Sequence, residues 1–170
     1  MAGFRLPITS YCLQAMVSEP VRPVLHHVVI SPATGVYLNQ TQKGEIVLGG
    51  ILDLYPSYGQ RGTFPTIEKV ITAAVEMFPA FAQLRLMRHW AGIVDMTPDS
   101  SPILGQTPIA NLQINCGWGT GGFKAIPAGG YLLAHSLVTG KPHPVAEKFG
   151  LDRFVTNRLV DEASAAGIAH

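Results

Sequence analysis

The sequence predicts an α+β fold in which an antiparallel or mixed sheet is flanked by helices. Two observations predict it. Several segments alternate apolar and polar residues between Pro- and Gly-rich turns, which is typical of strands. Another segment repeats its apolar residues every three to four positions, which is typical of a helix. With 170 residues, the chain is long enough to bury a sizeable core.

The N-terminal part of the chain is predicted to consist of strands. Residues 5–19 place Leu13, Ala15 and Val17 at alternate positions and are predicted to form a strand. HHVVI and GVYLNQ flank a Pro- and Gly-containing turn, and EIVLGG begins directly after the turn Lys43-Gly44. An antiparallel meander is therefore expected.

The paired histidines His26 and His27 lack the helical i, i+4 spacing and the nearby carboxylate of a metal site. They are interpreted as strand residues, and no metal site is predicted anywhere in the chain.

Residues 66–78 carry the helical repeat, with Thr66 as the expected N-cap and Pro79 after the end. The segment LRLMRHWAGIVDMT that follows is predicted to be a strand. The next segment, TPDSSPILGQTP, is predicted to be a loop with a short extended piece, in which Asp99 acts as a capping residue.

The last two predicted elements are a strand and a helix. A strand is predicted at Leu112 to Cys116. A second helix is predicted from Ala128 to Thr139, ending at Gly140.

Three glycines between that strand and that helix have the G-x-G-x-x-G spacing of a dinucleotide-binding turn: Gly117, Gly119 and Gly122. The rest of the fingerprint is not met. Pro127 interrupts the start of the helix, and no second strand ending in an acid follows about twenty residues later. A Gly-rich loop that brings backbone close to something bulky is the competing interpretation.

Composition limits the function classes. Hydrophobic residues make up 47% of the chain and charged residues only 14%, so an apolar surface is expected to be covered by a partner. The net charge of +1 does not indicate the basic surface that nucleic-acid-binding proteins usually have. Membrane spans and a secretion signal are not expected, and Cys12 and Cys116 are expected to be buried thiols. A cytoplasmic location is expected.

The segments RHWAGIVDMTPDSSPILGQTP and INCGWGTGGFKAIPAGG resemble the C-terminal part of the amine-oxidising flavoenzymes of the D-amino-acid oxidase superfamily. Within that superfamily, they resemble the beta subunits of heterotetrameric sarcosine oxidases. LQAMVSEP, SYGQRGTFPTIEKV, VEMFP and the tail from RLVDE to the final AH carry the same resemblance. It therefore covers essentially the whole chain.

The resemblance implies that the chain is the C-terminal part of a longer subunit. The Rossmann turn for FAD, a glutamate for the ribose and a histidine that bonds covalently to FMN precede the matching region in such subunits, and none precedes Met1. The isolated chain is therefore expected not to bind FAD stably. The expected domains are a partial substrate-binding sheet domain at 1–100, the last strand, glycine loop and helix of the FAD domain at 101–150, and a tail at 151–170.

In the family, the loop that resembles GWGTGGFK lies against the flavin ring, and the helix after it points its N-terminus at the ring. A helix N-terminus carries about half a positive charge, which suits negative charge at the N1 and O2 edge of the ring. The residues implied in cofactor contact are Gly119, Thr120, Gly121, Gly122, Phe123 and Lys124.

The resemblance implies that Lys124 binds the substrate and acts in catalysis by holding the carboxylate of a secondary amino acid such as sarcosine. Composition alone would make it a solvated surface lysine. Arg88 is predicted to be a partner for the phosphate of FMN at a subunit interface, with a plain ion pair as the alternative. His89 is expected to be a hydrogen-bonded histidine, and packing is favoured for Trp118 and Phe123.

The function implied by the resemblance is oxidative demethylation of sarcosine to glycine and formaldehyde, with electrons passing from FAD through FMN to oxygen. Other sarcosine oxidase subunits are the implied partners. Two alternatives stay open: a non-catalytic fragment that cannot bind FAD alone, and a related enzyme acting on dimethylglycine or another N-methyl amine.

Overall fold

The computed structural model describes residues 3–160, and these residues form two compact units. The first unit comprises residues 3–9 and 95–160, and the second comprises residues 10–94. The expected tail at 151–170 lies partly outside the described residues. No helix within residues 3–160 is both long enough and apolar enough to cross a membrane.

The sheet of five strands confirms the expected α+β class and the antiparallel meander. The order of the strands is β2-β3-β4-β1-β5, and the pairs β2/β3, β3/β4 and β4/β1 are antiparallel. The strands are β1 (Thr9–Pro20), β2 (Val29–Ser31), β3 (Val36–Gln40), β4 (Glu45–Pro56) and β5 (Leu86–Met96).

Two strand predictions need correction. The strand predicted at residues 5–19 begins only at Thr9, since the segment with Pro7 has no strand geometry. His26 and His27 are exposed loop residues, because β2 begins at Val29.

An extra residue in β4 changes which side chains face the core. Leu13 is opposite Leu52 and Ala15 is opposite Gly49, so three steps along β4 match two steps along β1. Gly50 lies in this bulge with φ +122°, and a Cβ there would come within 2.4 Å of the Gly35 carbonyl oxygen. Since side chains alternate between faces, the extra residue turns Asp53 to the same face as the buried Leu48.

The helix α1 (Phe64–Met77) packs on β3 and β4. It begins two residues before the predicted position, because Pro65 has the φ angle that a first helical turn requires. Thr63 is the N-cap, and Thr66 lies inside the first turn. The core beneath the helix consists of Met16, Val36, Leu38, Ile46, Leu48, Val70, Ala73 and Ala74.

The first unit contains a two-stranded antiparallel sheet of β6 (Ile103–Gln106) and β7 (Gln113–Cys116), followed by α2 (Gly122–Thr139). The α2 helix begins six residues before the predicted Ala128 and includes Pro127. Two short 3-10 turns follow, Glu147–Phe149 and Leu151–Phe154. The core residues of this unit are Leu104, Leu132, Ala146 and Phe149.

Candidate functional site

The glycine loop after β7 depends on two glycines with positive φ. Gly117 has φ +69° and Gly119 has φ +53°, angles that side-chain-bearing residues rarely adopt. A Cβ at Gly117 would lie 2.8 Å from Cγ2 of Thr97, and one at Gly119 would lie 3.0 Å from the sulfur of Met96. The loop is therefore fixed close to the end of β5 and the residue after it, and a larger residue at either glycine would be strained.

The loop leads directly into the N-terminus of α2. A 3-10 turn at Gly119–Gly121 precedes the helix, whose N-cap Gly121 offers no side-chain hydrogen bond. The first turn of α2 contains no acidic residue. The N–H groups at this end and the positive end of the helix dipole are thus not neutralised by a local side chain, which favours an anionic ligand.

Pro127 changes the hydrogen bonding of the same helix. Because proline has no N–H, Pro127 cannot donate the helical bond to the carbonyl of Phe123, four residues earlier. The prediction that Pro127 interrupts the start of the helix is wrong, since only one such bond is lost and α2 already begins at Gly122. Pro127 therefore leaves the carbonyl of Phe123 without its usual donor four residues later.

Lys124 and Phe123 lie in this first turn, and both are exposed. Phe123 keeps 90% of its surface accessible, so the packing favoured for it is absent among residues 3–160. Lys124 has no hydrogen bond or ion pair within those residues, and its stem passes 3.7 Å from the position of a Cβ on Gly121. An ammonium group is therefore available for a ligand at the uncapped helix end.

Trp118 supports the loop from the inside. Its indole packs beside the core of the first unit and its Nε1 donates a hydrogen bond to Oδ1 of Asn115. Gly129 of α2 makes this possible, since a Cβ there would lie 2.9 Å from Cζ2 of Trp118. The packing favoured for Trp118 is confirmed, and Gly129 is the glycine of α2 that makes room for this ring.

Arg88 and His89 lie on β5, and alternation along the strand directs them to opposite faces. Arg88 is exposed and has no ion pair among the described residues, so the alternative of a plain ion pair finds no partner there. His89 is half-buried, and its Nε2 lies 3.1 Å from Oε1 of Gln14. The expected hydrogen bond of His89 is confirmed.

A buried polar cluster around Asp53 was not predicted from the sequence. Oδ1 of Asp53 accepts hydrogen bonds from Nε2 of Gln14, from Oγ1 of Thr63 at 3.0 Å and from Oγ1 of Thr66 at 2.8 Å. Asp53 thereby fixes the Gln14 amide, so that its oxygen faces His89 and Nε2 of His89 must donate. Local sequence gives no signal for this cluster, because its members lie on three strands and a helix.

A second unpredicted feature is the buried ion pair of Asp99 and Arg153. Nε of Arg153 donates to Asp99 at 2.7 Å, with both side chains 3% or less exposed. Asp99 also accepts from the backbone N–H of Ser101, which agrees with its expected capping role, and from that of Val160. Burial by itself would raise the pKa of Asp99, but Arg153 and the two N–H groups lower it to about 2.

Both cysteines are free thiols, as expected. Cys12 is buried as predicted, whereas Cys116 at the end of β7 is only half-buried, so the prediction of a buried thiol is wrong for Cys116. Burial, followed by the negative charge of Asp95, raises the pKa of the Cys116 thiol. The thiol beside the glycine loop is thus kept in its neutral, weakly reactive form.

Comparison with known proteins relates this geometry to a family. The profile of the FAD dependent oxidoreductase family matches residues 1–136. The chain belongs to this family. The resemblance noted in the sequence is thereby confirmed at the level of the flavin-dependent oxidoreductases.

Individual relatives are similar along the whole chain. It is 51% identical over all 170 residues to sarcosine oxidase subunit beta of an Arthrobacter species, and 49% identical to the protein of that name from Rhodobacter capsulatus. Among solved structures, L-proline dehydrogenase from P. horikoshii superposes with a TM-score of 0.84 at 30% identity, over 93% of this chain and 43% of that one. The chain spans only 42% and 41% of the two curated relatives.

The residues of the glycine loop are suited to the cofactor named by the family. The uncapped helix end offers N–H donors, whereas the spaces beside Gly117 and Gly119 are filled by Thr97 and Met96. The exposed ring of Phe123 offers an apolar surface next to them. This donor set and the open surface fit the flavin of FAD.

Proposed function

We propose that the chain is the C-terminal part of a flavin-dependent amine oxidase subunit that demethylates sarcosine to glycine and formaldehyde and passes the electrons to oxygen. One observation carries the proposal: an unpaired ammonium group, Lys124, lies in the uncapped first turn of a helix that follows a glycine loop. The 51% identity to a sarcosine oxidase subunit beta supports the choice of substrate.

Each group at this helix end has a separate task in the proposal. When bound, FAD supplies the two-electron oxidant. The backbone at Gly119, Thr120, Gly121 and Gly122 holds the ring edge, and Phe123 covers it. The ammonium of Lys124 binds the substrate carboxylate and orients the N-methyl group, because a charge-assisted hydrogen bond fixes both distance and direction.

The second unit has a proposed role in binding substrate and a second flavin. Arg88 is proposed to pair with the phosphate of FMN at an interface with other sarcosine oxidase subunits, since its exposed guanidinium has no partner among residues 3–160. The first unit is assigned to the FAD domain and the second to the substrate domain. The free thiols of Cys12 and Cys116 support a cytoplasmic location, where thiols stay reduced.

The test uses a chimeric subunit in which this chain replaces the matching region of the Arthrobacter relative. We expect the chimera to retain FAD and to be reduced by sarcosine. Lys124→Met should raise the KM for sarcosine and slow flavin reduction by about ten- to a hundredfold, since a lost bond to an anion is worth ~1.5 to 3 kcal/mol. Stopped-flow measurement of flavin reduction gives both quantities.

Lys69→Met is the matched control, because Lys69 is an exposed lysine of α1. It should leave both quantities unchanged. A chimera that retains FAD but in which Lys124→Met behaves like Lys69→Met would remove Lys124 from the substrate site. Faster reduction by dimethylglycine than by sarcosine would reassign the substrate.

A further inference from the structure

The sheet of the second unit ends in two edge strands of very different length. The edge strand β2 (Val29–Ser31) has three residues, whereas the edge strand β5 (Leu86–Met96) has eleven. A strand at the edge of a sheet presents backbone N–H and C=O groups that a further strand can bind. Since the short β2 offers few such groups, β5 is the edge at which another strand can extend the sheet.

Side chains on both faces of β5 are exposed. Successive residues of a strand point to opposite faces, and the exposed apolar residues of β5 occupy even and odd positions. Leu86, Met87, Trp90 and Ile93 keep between 40 and 68% of their surface accessible. Two of the eleven residues of β5 are buried, against five of the twelve in the neighbouring β1. The described residues thus leave both faces of β5 largely uncovered.

The sequence of β5 lacks features that normally protect an exposed edge. Proteins protect such edges by keeping the strand short or by placing lysine or proline in it. Residues 86–96 contain neither lysine nor proline, and Arg88 and Asp95 are their charged residues. Strand-favouring residues, Trp90, Ile93 and Val94, lie between those two. A long edge of this composition promotes aggregation when it stays unpaired, so a partner strand is expected.

A loop of the same unit contacts β5 without extending the sheet. The backbone N–H of Ala91 donates a hydrogen bond of 3.0 Å to the carbonyl oxygen of Gln60. Gln60 lies in the segment 57–63 between β4 and α1, which has no strand geometry. This segment therefore leaves the rest of β5 open to a partner.

Longer proteins with the same fold have additional chain that can supply a strand. Within residues 3–160, the sheet ends at β5. The chain spans 42% of the Arthrobacter relative and 43% of the L-proline dehydrogenase structure, which superposes with a TM-score of 0.84. More than half of each of these proteins therefore lies outside the matching part.

We propose that β5 is an internal strand in the longer subunit, where its outer edge pairs with a β-strand from the part of that subunit outside these 170 residues. The proposal rests on the proposed function only in taking the chain as part of such a subunit. Side chains of the added strand would pack beside the exposed apolar residues of β5, because directly opposite residues on paired strands are in contact.

Hydrogen exchange of backbone amides tests the pairing in the chimeric subunit, with the isolated chain as the reference. In a strand with one neighbour, alternate amides face outward and exchange rapidly, whereas a strand with two neighbours has all of them bonded. The outward amides among residues 87–93 should exchange at least about a hundredfold more slowly in the chimera. Amides of the interior strand β3 are the control and should be protected in both proteins. Equal exchange of residues 87–93 in both proteins would overturn the proposal.

Proline variants of two neighbouring residues give a second measurement. Because backbone N–H groups alternate in direction along a strand, one of Met87 and Arg88 donates towards β1 and the other outward. Proline removes the N–H group. One of Met87→Pro and Arg88→Pro should lower the Tm of both proteins, and the other should lower the Tm of the chimera by several degrees more than that of the isolated chain. Two variants that each affect both proteins equally would contradict the pairing.

Concentration and subunit content identify the source of the strand. Protection that is present in the chimeric subunit alone and unchanged on about tenfold dilution supports a strand of the same chain. Protection that falls on dilution would assign the edge to a second copy, and protection that needs the other sarcosine oxidase subunits would assign it to them. Either result overturns the proposal. Loss of sarcosine oxidation with the protection of β5 intact would count against the proposed function alone.

Discussion

Arg153 connects two distant segments of the first unit through hydrogen bonds. All five of its N–H groups donate, two to the carboxylate of Asp99 and three to the backbone carbonyls of Phe149, Gly150 and Ser101. Asp99 in turn accepts the N–H of Val160, so the segment after α2 is fixed to the segment before β6. A buried ion pair with every donor satisfied is the condition under which such a pair is retained without a large penalty.

The lowered pKa of Asp99 predicts a pH dependence of stability. Its value is about 2 in the folded chain against 3.8 as the reference, so its stabilisation is complete above about pH 5 and is lost as the pH falls towards 2. The full loss should be about 2.5 kcal/mol, since one pKa unit corresponds to ~1.4 kcal/mol, and about 1 kcal/mol of it should be lost by pH 3. Urea unfolding at pH 7, 4 and 3 measures it.

Asp99→Asn tests that assignment. It leaves the buried guanidinium of Arg153 unpaired, so the free energy of unfolding at pH 7 should fall by about 3 to 5 kcal/mol. The remaining stability should then vary less between pH 5 and pH 3 than in the parent chain. Parallel pH curves for the two proteins would mean that Asp99 does not titrate in this window.

At the scale of elements, the negative charge beside the N-terminus of the helix α1 comes from a residue of the strand β4. Its N-cap Thr63 makes no capping hydrogen bond and its first turn has no acidic residue. Asp53 of β4 instead accepts the hydroxyl hydrogens of Thr63 and Thr66. A carboxylate at a helix N-terminus is stabilising, and the bulge at Gly50 turns Asp53 to this position.

Asp53→Asn should therefore destabilise the second unit. The amide loses the negative charge and brings an N–H group into a cluster of donors, so a loss of about 1 to 3 kcal/mol is expected. Glu76→Gln is the control and should have the opposite effect on stability. Glu76 lies in the last turn of α1, where a negative charge interacts unfavourably with the helix dipole. Chemical unfolding measures the free energy of unfolding of both variants. A larger loss for Glu76→Gln than for Asp53→Asn would contradict the assignment.

These elements also show what the sequence could predict. Period-two and helical patterns located β3, β4, β5 and α1, because they reflect burial along one element. The patterns missed the bulge at Gly50 and the ion pair of Asp99, since both depend on residues far apart in the chain. They also placed the start of α2 six residues too late, because Pro127 and Gly129, the glycine that makes room for Trp118, are residues that usually break helices. The roles assigned to Lys124 and Arg88 stay predictions.

At the scale of the whole molecule, α2 has an exposed apolar side that no other part of the described chain covers. Its buried face contains Gly129, Leu132 and Ser136, but the opposite side is also apolar. A helix that is apolar on all sides is normally buried. Since the chain spans 42% of its relative, this side is expected to be covered in the longer subunit. The exposed stripe on this side of α2 comprises Phe123, Ile126, Tyr131, Leu137 and Val138.

The last prediction follows from that stripe. Leu137→Gln with Val138→Gln should change the stability of the isolated chain by no more than about 0.5 kcal/mol, because 61% and 87% of these side chains are exposed. In the chimeric subunit, the same pair should cost about 3 kcal/mol, the transfer energy of two aliphatic side chains that become buried. Val24→Gln with Val28→Gln, two exposed residues before β2, is the control and should be nearly silent in both proteins. Chemical unfolding of the chain and the chimera compares them, and an equal effect of the α2 pair in both would mean that the stripe stays in solvent in the longer subunit.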